Sequence, residues 1–290
     1  MGTVIDGLEV VRGSWRSRRS ALHLAVAAAK SCLTHAGVAP AELDLLINAG
    51  IYRDRNLGEP ALAAIIQNDI GANTEDPHHD AHGTFSFDIA NGVCGTLTAL
   101  QIADGFLRSH TISHALVVAS DADPGRGTSE RFPFSPVGAA LLCKWSDGDD
   151  GLGQVHWVNA LDDAQDYCAA VAFTGSRNIL QVHQSAAVDV ELATAGARAA
   201  RRCLDEAEFD LSDVAMISAA PANHRYRAEL AVRLGVSVER IAVAADEGMH
   251  TAALVAALQG QSEVAGAHTL LIAAGAGIVA GAALYRAPTI

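Results

Sequence analysis

Cys94 is the residue whose type and setting best suit a nucleophile. It stands between two glycines in the run Gly92-Val-Cys94-Gly95, after a strand-like segment and at the first turn of a predicted helix. The backbone N–H groups and the dipole of a helix start favour thiolate over thiol, and the glycines let a substrate approach the sulfur closely. These features predict covalent catalysis by sulfur. The alternative is a small buried cysteine without chemistry, the commonest fate of this residue type.

His250 occupies the corresponding position in a second, similar segment. Gly92-Val-Cys94 precedes a predicted helix and a strand, and so does Gly248-Met-His250, at an offset of 156 residues (250 − 94). We predict that the first helix runs to about Ser109 and the second to about Val264. An imidazole that faces Cys94 can activate the sulfur or deprotonate an acceptor. The alternative is that His250 is a helix-start residue that only fills space.

The elements that must position these two residues also recur along the chain. Two helix-then-strand pairs recur along the chain: Ala21–Ala36 with Leu45–Ala49, and Val190–Glu206 with Val214–Ser218. Asp44, just before the first strand, corresponds to Val214, at an offset of 170 residues (214 − 44). Alternating helices and strands predict an α/β fold, and repeats in the same order indicate duplication of one unit. We therefore divide the chain into an N-terminal half, 1–155, that carries the nucleophile and a C-terminal half, 156–290. Equivalent helix starts of such halves can meet near a pseudo-twofold axis.

The composition narrows the classes of function. The 290 residues are 50% hydrophobic and 18% charged, which predicts a large buried core and excludes general disorder. The net charge of −13, with no long basic run, excludes nucleic acid as an expected partner. Five cysteines without paired spacing predict free thiols in a reducing cytoplasm. We expect no secretory signal at the start and, from the glycine-interrupted apolar run Thr269–Leu284, buried strands rather than a membrane span.

Several motifs, in order from about Ala21 to Arg286, resemble those of one family, the ketosynthase III (FabH-like) enzymes of the thiolase fold. The run Asp88–Asp121 resembles the family's nucleophile region. Val137–Leu142 resembles the strand that follows in the family, and Ala222–Arg225 resembles the end of its His-Gln-Ala-Asn-x-Arg motif. Gly248–Ala253 resembles its Gly-Asn-Thr-Ser-Ala-Ala motif, and Ala274–Leu284 resembles its glycine-rich C-terminal strands. The resemblance implies a thiolase-like, five-layered αβαβα fold built from two duplicated halves, and a homodimer.

The resemblance also implies roles for single residues. The family's cysteine, here Cys94, takes an acyl group from coenzyme A or acyl carrier protein, while a His and an Asn assist condensation with a malonyl carrier. Those two positions fall on Ala220 and Met249, and the Gln after the His falls on Pro221. Neither Ala nor Met donates a hydrogen bond from its side chain. Acyl loading is therefore expected with an altered second step, for which His250, beside the vacated Asn position, is the candidate base.

Three further expectations follow from the family. Backbone N–H groups of Cys94 and Gly275 would hold an oxyanion. Asn223, His224 and Arg225 would contact coenzyme A or the carrier, since a guanidinium suits phosphate; a solvated surface arginine is the alternative. No cofactor is expected beyond the acyl-CoA or acyl-phosphopantetheine substrate.

Two functions from different classes remain open at this point. In the first, an acyltransferase loads Cys94 as a thioester and forms a Claisen product, an ester, an amide or a free acid. In the second, the chain is a catalytically degenerate partner of an active relative, which Ala220 and Met249 favour and Cys94 opposes. The run Asp76–His82 holds three His and two Asp, but its spacing fits no helix face, so we assign no metal site and interpret it as a solvated or dimer-facing loop.

Overall fold

The computed structural model describes residues 1–13, 20–73, 83–159, 167–184, 188–261 and 264–289. The helices within these ranges are α1 (Ala21–Ala36), α2 (Leu62–Ile70), α3 (Gly95–Arg108), α4 (Val188–Glu206), α5 (His224–Leu234) and α6 (Ala253–Gln259). The strands are β1 (Gly2–Arg12), β2 (Leu45–Asn48), β3 (Phe85–Asp88), β4 (His114–Asp121), β5 (Val137–Ser146), β6 (Gly151–Leu152), β7 (His156–Asn159), β8 (Tyr167–Thr174), β9 (Arg177–Gln184), β10 (Met216–Ala220), β11 (Ile241–Ala242), β12 (His268–Gly275) and β13 (Val279–Arg286).

Two sheets share one strand pattern. The first has the order β1-β5-β4-β2-β3 and the second the order β11-β10-β12-β13-β6, with β7 also paired to β13. In the first, β2 is parallel to β3 and β4, and β5 is antiparallel to β4 and β1. In the second, β10 is parallel to β11 and β12, and β13 is antiparallel to β12, β6 and β7. The same order and directions therefore occur twice.

The sheets divide the chain near its middle. Strands up to Ser146 belong to the first sheet, and strands from Gly151 onward, apart from the β8–β9 hairpin, belong to the second. The division into halves at residues 155 and 156 stays a prediction.

Helices cover both faces of each sheet. One apolar cluster contains side chains of α3 and α6 together with residues of both sheets, among them Leu97, Leu254, Leu141 and Leu271. A second cluster packs α1 and α2 on the outer face of the first sheet, and a third packs α4 and α5 on the outer face of the second. The layers therefore alternate as α1/α2, sheet, α3/α6, sheet, α4/α5, which is the predicted αβαβα order.

Helix α1 illustrates why these segments fold as they do. The Ser20 side chain caps its start by accepting a hydrogen bond from the His23 N–H at 3.1 Å. Gly37 ends it in the left-handed conformation at φ 69°, where a glycine carries no steric penalty. The alanine-rich face lets β5 approach closely, since a side chain at Gly138 would overlap the carbonyl oxygen of Leu24. Small residues thus set the spacing between this layer and the sheet.

The helix that follows His250 is shorter than the sequence predicts. Helix α6 begins at Ala253 and ends at Gln259, so it starts three residues after His250 and stops before Val264. Residues ahead of it form turns, in which Met249 N–H donates to Asp246 O at 3.0 Å and Ala253 N–H to His250 O at 3.2 Å. His250 therefore lies in a turn rather than at the head of the helix. None of the helices in the described ranges is long and apolar enough to cross a bilayer.

Candidate active site

Cys94 ends a short 3-10 turn that starts at Gly92, directly before α3. Its side chain is 1% exposed, and the thiol donates to the carbonyl oxygen of Val279 across 3.6 Å. Burial raises the pKa of this thiol from 9.0 to about 12, which corresponds to roughly 4 kcal/mol against the thiolate.

The expectation that a helix start makes Cys94 a thiolate is therefore wrong for this structure. A helix dipole contributes about 0.3–1 kcal/mol at its end, which is much less than the cost of burying the charge. The sulfur is a thiol at neutral pH and needs a base before it can attack.

Gly275 faces the sulfur from the second sheet. It is the last residue of β12, and a methyl group built on it would lie 3.4 Å from Cys94 Sγ and 3.7 Å from Cys94 N. The end of β12 and the start of α3 thus meet with no side chain between them. The two backbone segments predicted to hold an oxyanion lie side by side.

The ring of His250 lies against the turn that carries the cysteine. A Cβ built on Gly92 would be 3.7 Å from His250 Nε2, so this nitrogen faces the Gly92–Cys94 turn. The ring stacks on Phe134 at 4.2 Å between centroids and an interplanar angle of 27°, and lies 5.3 Å from the ring of Tyr52. Only 6% of His250 is exposed. The ring of His250 therefore lies beside the turn that ends at Cys94, and the pairing of its imidazole with the sulfur stays a prediction.

Asp121, which the sequence analysis did not single out, approaches the other nitrogen of this ring. It ends β4, and its Oδ2 accepts hydrogen bonds from Thr251 N–H at 2.7 Å and Thr251 Oγ1 at 2.8 Å. Its Oδ1 lies 3.5 Å from His250 Nδ1. Asp121 is close to His250 only because β4 ends beside the turn before α6, and no local pattern in the sequence reveals that.

A cavity of about 630 Å³ opens in front of these groups, within the range of about 300–1,000 Å³ typical of small-molecule sites. Its lining includes Gly92, His250, Gly275 and Asp189. The Cys94 side chain lies just behind this surface, between Val93 and Gly275, both of which line it. A substrate in the cavity would therefore lie next to the backbone that covers the sulfur.

The positions to which the resemblance assigns the family's His and Asn carry apolar side chains. Ala220 ends β10 and is fully buried, while the following Pro221 and Met249 line the cavity. None of these three side chains donates a hydrogen bond. The imidazole in this cavity is instead that of His250.

The predicted coenzyme A or carrier contacts lie at one side of the cavity, next to carboxylates. Asn223 Oδ1 caps α5 by accepting from Arg225 N–H at 2.7 Å, and its Nδ2 donates to both oxygens of Asp189 at 3.2 and 3.1 Å. Burial raises the pKa of Asp189, and the charge of Arg225 opposes that shift. The exposed His224 has its Nε2 at 3.3 Å from Glu247 Oε1. Asn223 thus reaches the cavity, whereas His224 and Arg225 lie outside it.

The metal-capable run Asp76–His82 lies outside the described residues. Among those that are described, no three His, Cys, Asp or Glu side chains form a group suited to holding a metal ion.

Comparison with known proteins shows that the chain is similar in sequence to several beta-ketoacyl-acyl-carrier-protein synthases III. The beta-ketoacyl-acyl-carrier-protein synthase III of Solibacter usitatus is 25% identical over 286 residues, covering 91% of this chain and 83% of that protein. The protein of the same name from Sodalis glossinidius is 29% identical over 283 residues, covering 89% of this chain and 82% of that protein. No family model matches the chain.

Solved structures give the same result for the fold. The crystal structure of 3-oxoacyl-(acyl carrier protein) synthase III, FabH, from Pseudomonas aeruginosa superposes with a TM-score of 0.82 at 20% identity, covering 100% of this chain and 99% of that one. This likeness confirms the predicted fold class.

Proposed function

We propose, since this chain belongs to the FabH-like family of thiolase-fold proteins, that it is a ketosynthase III-like acyltransferase. It takes an acyl group from acyl-CoA or acyl carrier protein as a thioester on Cys94 and passes it to an acceptor. One observation carries this proposal: Gly92, His250 and Gly275 line one cavity, and the buried sulfur of Cys94 lies directly behind it, against the bare backbone of Gly275.

The loading step needs a base because the buried thiol is protonated at neutral pH. In the proposed step, His250 Nε2 takes the proton from Cys94 Sγ while the sulfur attacks the thioester carbonyl. The carbonyl oxygen gains negative charge, which the backbone N–H groups of Cys94 and Gly275 would stabilise. The S–C bond to the donor then breaks, and the departing thiolate takes the proton back from His250.

The second step transfers the acyl group from Cys94 to the acceptor. With apolar side chains at 220 and 249, the cavity lacks the pair of side-chain donors that the family uses to stabilise the enolate of a malonyl carrier. His250 remains as the base that would deprotonate an acceptor. A Claisen product, an ester, an amide or a free acid is the product under this proposal.

Donor binding and assembly follow the family under the same proposal. Asn223, His224 and Arg225, beside the cavity, are the proposed contacts for coenzyme A or the carrier. Strand β3 lies at the edge of the first sheet, where Phe85 is 58% exposed. An exposed apolar edge strand is a template for pairing with another chain, and we propose it as the contact of a homodimer.

A second candidate, a non-catalytic partner subunit in a heteromeric complex, is favoured by two observations. The Cys94 side chain is nearly inaccessible, and Ala220 and Met249 are apolar. In that case the chain would stabilise an active relative without carrying acyl groups itself.

Intact-protein mass spectrometry separates the two candidates. Wild type, Cys94→Ala and the matched control Cys203→Ala, which removes another buried cysteine, are incubated with a panel of acyl-CoA thioesters and then of acyl carrier proteins. We expect one acyl adduct on wild type and on Cys203→Ala, and none on Cys94→Ala. A folded wild type that stays unmodified with every donor, but co-purifies with a triad-complete relative, would contradict the transferase and support the partner subunit.

A further inference from the structure

We propose that Asp121 is a positioning residue, which holds the imidazole of His250 with its proton on Nδ1 and so leaves Nε2 free to take a proton in the cavity. The inference rests on the proposed function for its consequence in catalysis. Its structural content, the tautomer of His250, does not depend on that function.

The first observation is how firmly Asp121 is held. Two donors of one residue, the N–H and the Oγ1 of Thr251, both bind Oδ2, at 2.7 and 2.8 Å. The carbonyl oxygen of Thr251 in turn accepts a hydrogen bond from Thr96 Oγ1 in α3 at 3.0 Å. The carboxylate therefore has one oxygen fixed and the other directed elsewhere. That other oxygen, Oδ1, is the one next to His250.

The second observation is that two buried polar atoms face one another with no other partner. Within the part of the chain that the structure describes, neither Asp121 Oδ1 nor His250 Nδ1 makes a hydrogen bond. Their separation of 3.5 Å is just longer than a hydrogen bond. Catalytic hydrogen bonds are often long before substrate binds, and buried polar groups without partners are costly. A small rotation of the ring pairs both atoms, with Nδ1–H donating to Oδ1.

The third observation is the direction of the opposite nitrogen. Nε2 faces Gly92 in the turn that carries Cys94, so a proton fixed on Nδ1 leaves the lone pair of Nε2 on the side of the sulfur. The hydrogen bond made by one ring nitrogen sets the proton of the other. Other titratable or charged groups lie nearby, at the ring edge, behind Gly92 and in the cavity lining: Tyr52, Cys94, Asp189 and Glu247. The carboxylate next to Nδ1 is that of Asp121, at 3.5 Å.

This arrangement specifies the kind of acceptor that suits the site. A neutral imidazole with a free Nε2 removes protons from S–H, O–H or N–H groups. Decarboxylation of a malonyl group releases CO₂ and needs hydrogen-bond donors at the enolate oxygen, which a free Nε2 lone pair cannot supply. The pair of Asp121 and His250 therefore fits transfer to an alcohol, an amine or water.

Asp121→Asn gives a sharp test because Thr251 constrains the new amide. Both Thr251 donors require an oxygen at the position of Oδ2, so the amide NH₂ must face His250 Nδ1. Nδ1 then becomes the acceptor, and the proton moves to Nε2. We expect ¹⁵N NMR of histidine-labelled protein, with the His250 signal identified by His250→Gln, to show an Nδ1–H tautomer in wild type and an Nε2–H tautomer in Asp121→Asn.

The kinetic readout follows the same logic. With Nε2 protonated, the base is blocked, and we expect acyl loading of Cys94 to slow by about 100-fold or more, within the range that general bases contribute. The matched control is Asp88→Asn, which changes a carboxylate at the end of β3, two strands away in the same sheet, that accepts from Leu62 and Ala63 N–H groups. It should leave the His250 tautomer unchanged.

The outcomes separate this inference from the proposed function. An Nε2–H tautomer in wild type, which needs no variant to observe, overturns the role of Asp121. Acyl loading that is as fast in Asp121→Asn as in wild type also overturns this role. A wild type that shows the Nδ1–H tautomer, switches in Asp121→Asn, yet accepts no acyl group, supports the positioning role and overturns the transferase.

Discussion

The space beside the sulfur of Cys94 exists because residue 275 has no side chain. In Gly275→Ala the new methyl would stand 3.4 Å from Sγ and 3.7 Å from the Cys94 nitrogen, distances of ordinary contact. We therefore expect the variant to unfold within about 1 kcal/mol of wild type, while acyl loading falls at least tenfold because the methyl occupies the place of the thioester oxygen. Mass spectrometry of acyl loading, quenched at successive times, measures the rate, and urea unfolding measures the free energy of unfolding.

Gly58→Ala is the control for this change, since a Cβ there has no atom within 4 Å. It should alter neither quantity. Equal loading by Gly275→Ala and wild type would show that the acyl group does not lie against β12.

At the residue scale, the sequence points to the candidate groups Cys94, His250 and Gly275 but does not reveal how burial sets the protonation of the thiol. The glycine-flanked cysteine, His250 and Gly275 are all identifiable from motif and repeat, because the fold fixes where such segments lie. The state of the Cys94 thiol depends on desolvation by residues from both sheets, and the Asp121–His250 contact joins two strand ends far apart in the chain. Both are tertiary effects that no local pattern contains.

At the scale of elements, α3 carries a glycine where an alanine would serve better. Gly105 lies on the exposed side of the helix, and a Cβ there has no atom within 4 Å. Because glycine costs about 0.8–1.0 kcal/mol relative to alanine inside a helix, we expect Gly105→Ala to raise the free energy of unfolding by roughly that amount, measured by urea unfolding. Loading of Cys94 should not change.

Gly37→Ala, at the end of α1, is the opposite control. Its φ of 69° is left-handed, which costs an alanine about 1–2 kcal/mol. A stability loss in both variants would mean that Gly105 serves a purpose that packing does not reveal.

Element bounds follow from the sequence where local signals act alone. Helix α1 spans Ala21–Ala36, as its alanine run, the serine before it and the glycine after it predict. The turn before α6 was missed, since the hydrogen bonds that Thr251 donates to Asp121 compete with helical hydrogen bonding at that point. Tertiary bonds override local preference there.

At the scale of the whole molecule, buried thiols couple stability to pH. Burial raises the pKa of Cys32 and of Cys94 to about 12 and that of Cys143 further. Each folded-state pKa lies above the ordinary value of 9.0, so the native state keeps protons that the unfolded chain loses. Their stabilisation is complete below about pH 9 and is lost as pH rises toward 12, by roughly 1.4 kcal/mol per pH unit for each thiol.

Urea unfolding between pH 8 and pH 11 measures this loss. Above pH 9, the free energy of unfolding should fall less steeply with pH in Cys94→Ala than in wild type. The expected difference is roughly 1.4 kcal/mol per pH unit, the contribution of one ionising thiol. An unchanged slope would indicate that Cys94 ionises alike in the folded and unfolded chains.

The groups proposed for catalysis come from the two parts of the chain that form different sheets, and this has a practical consequence. Cys94 and Asp121 come from the part of the chain before Ser146, whereas His250, Thr251 and Gly275 come from the part after Gly151. Residues 147–149, in the connection between those points, are exposed. A chain cut within that connection yields two fragments, neither of which holds a complete set of reacting groups. Under the proposed function, acyl transfer by such a pair would report reassembly of the fragments, so the chain would offer a basis for complementation assays.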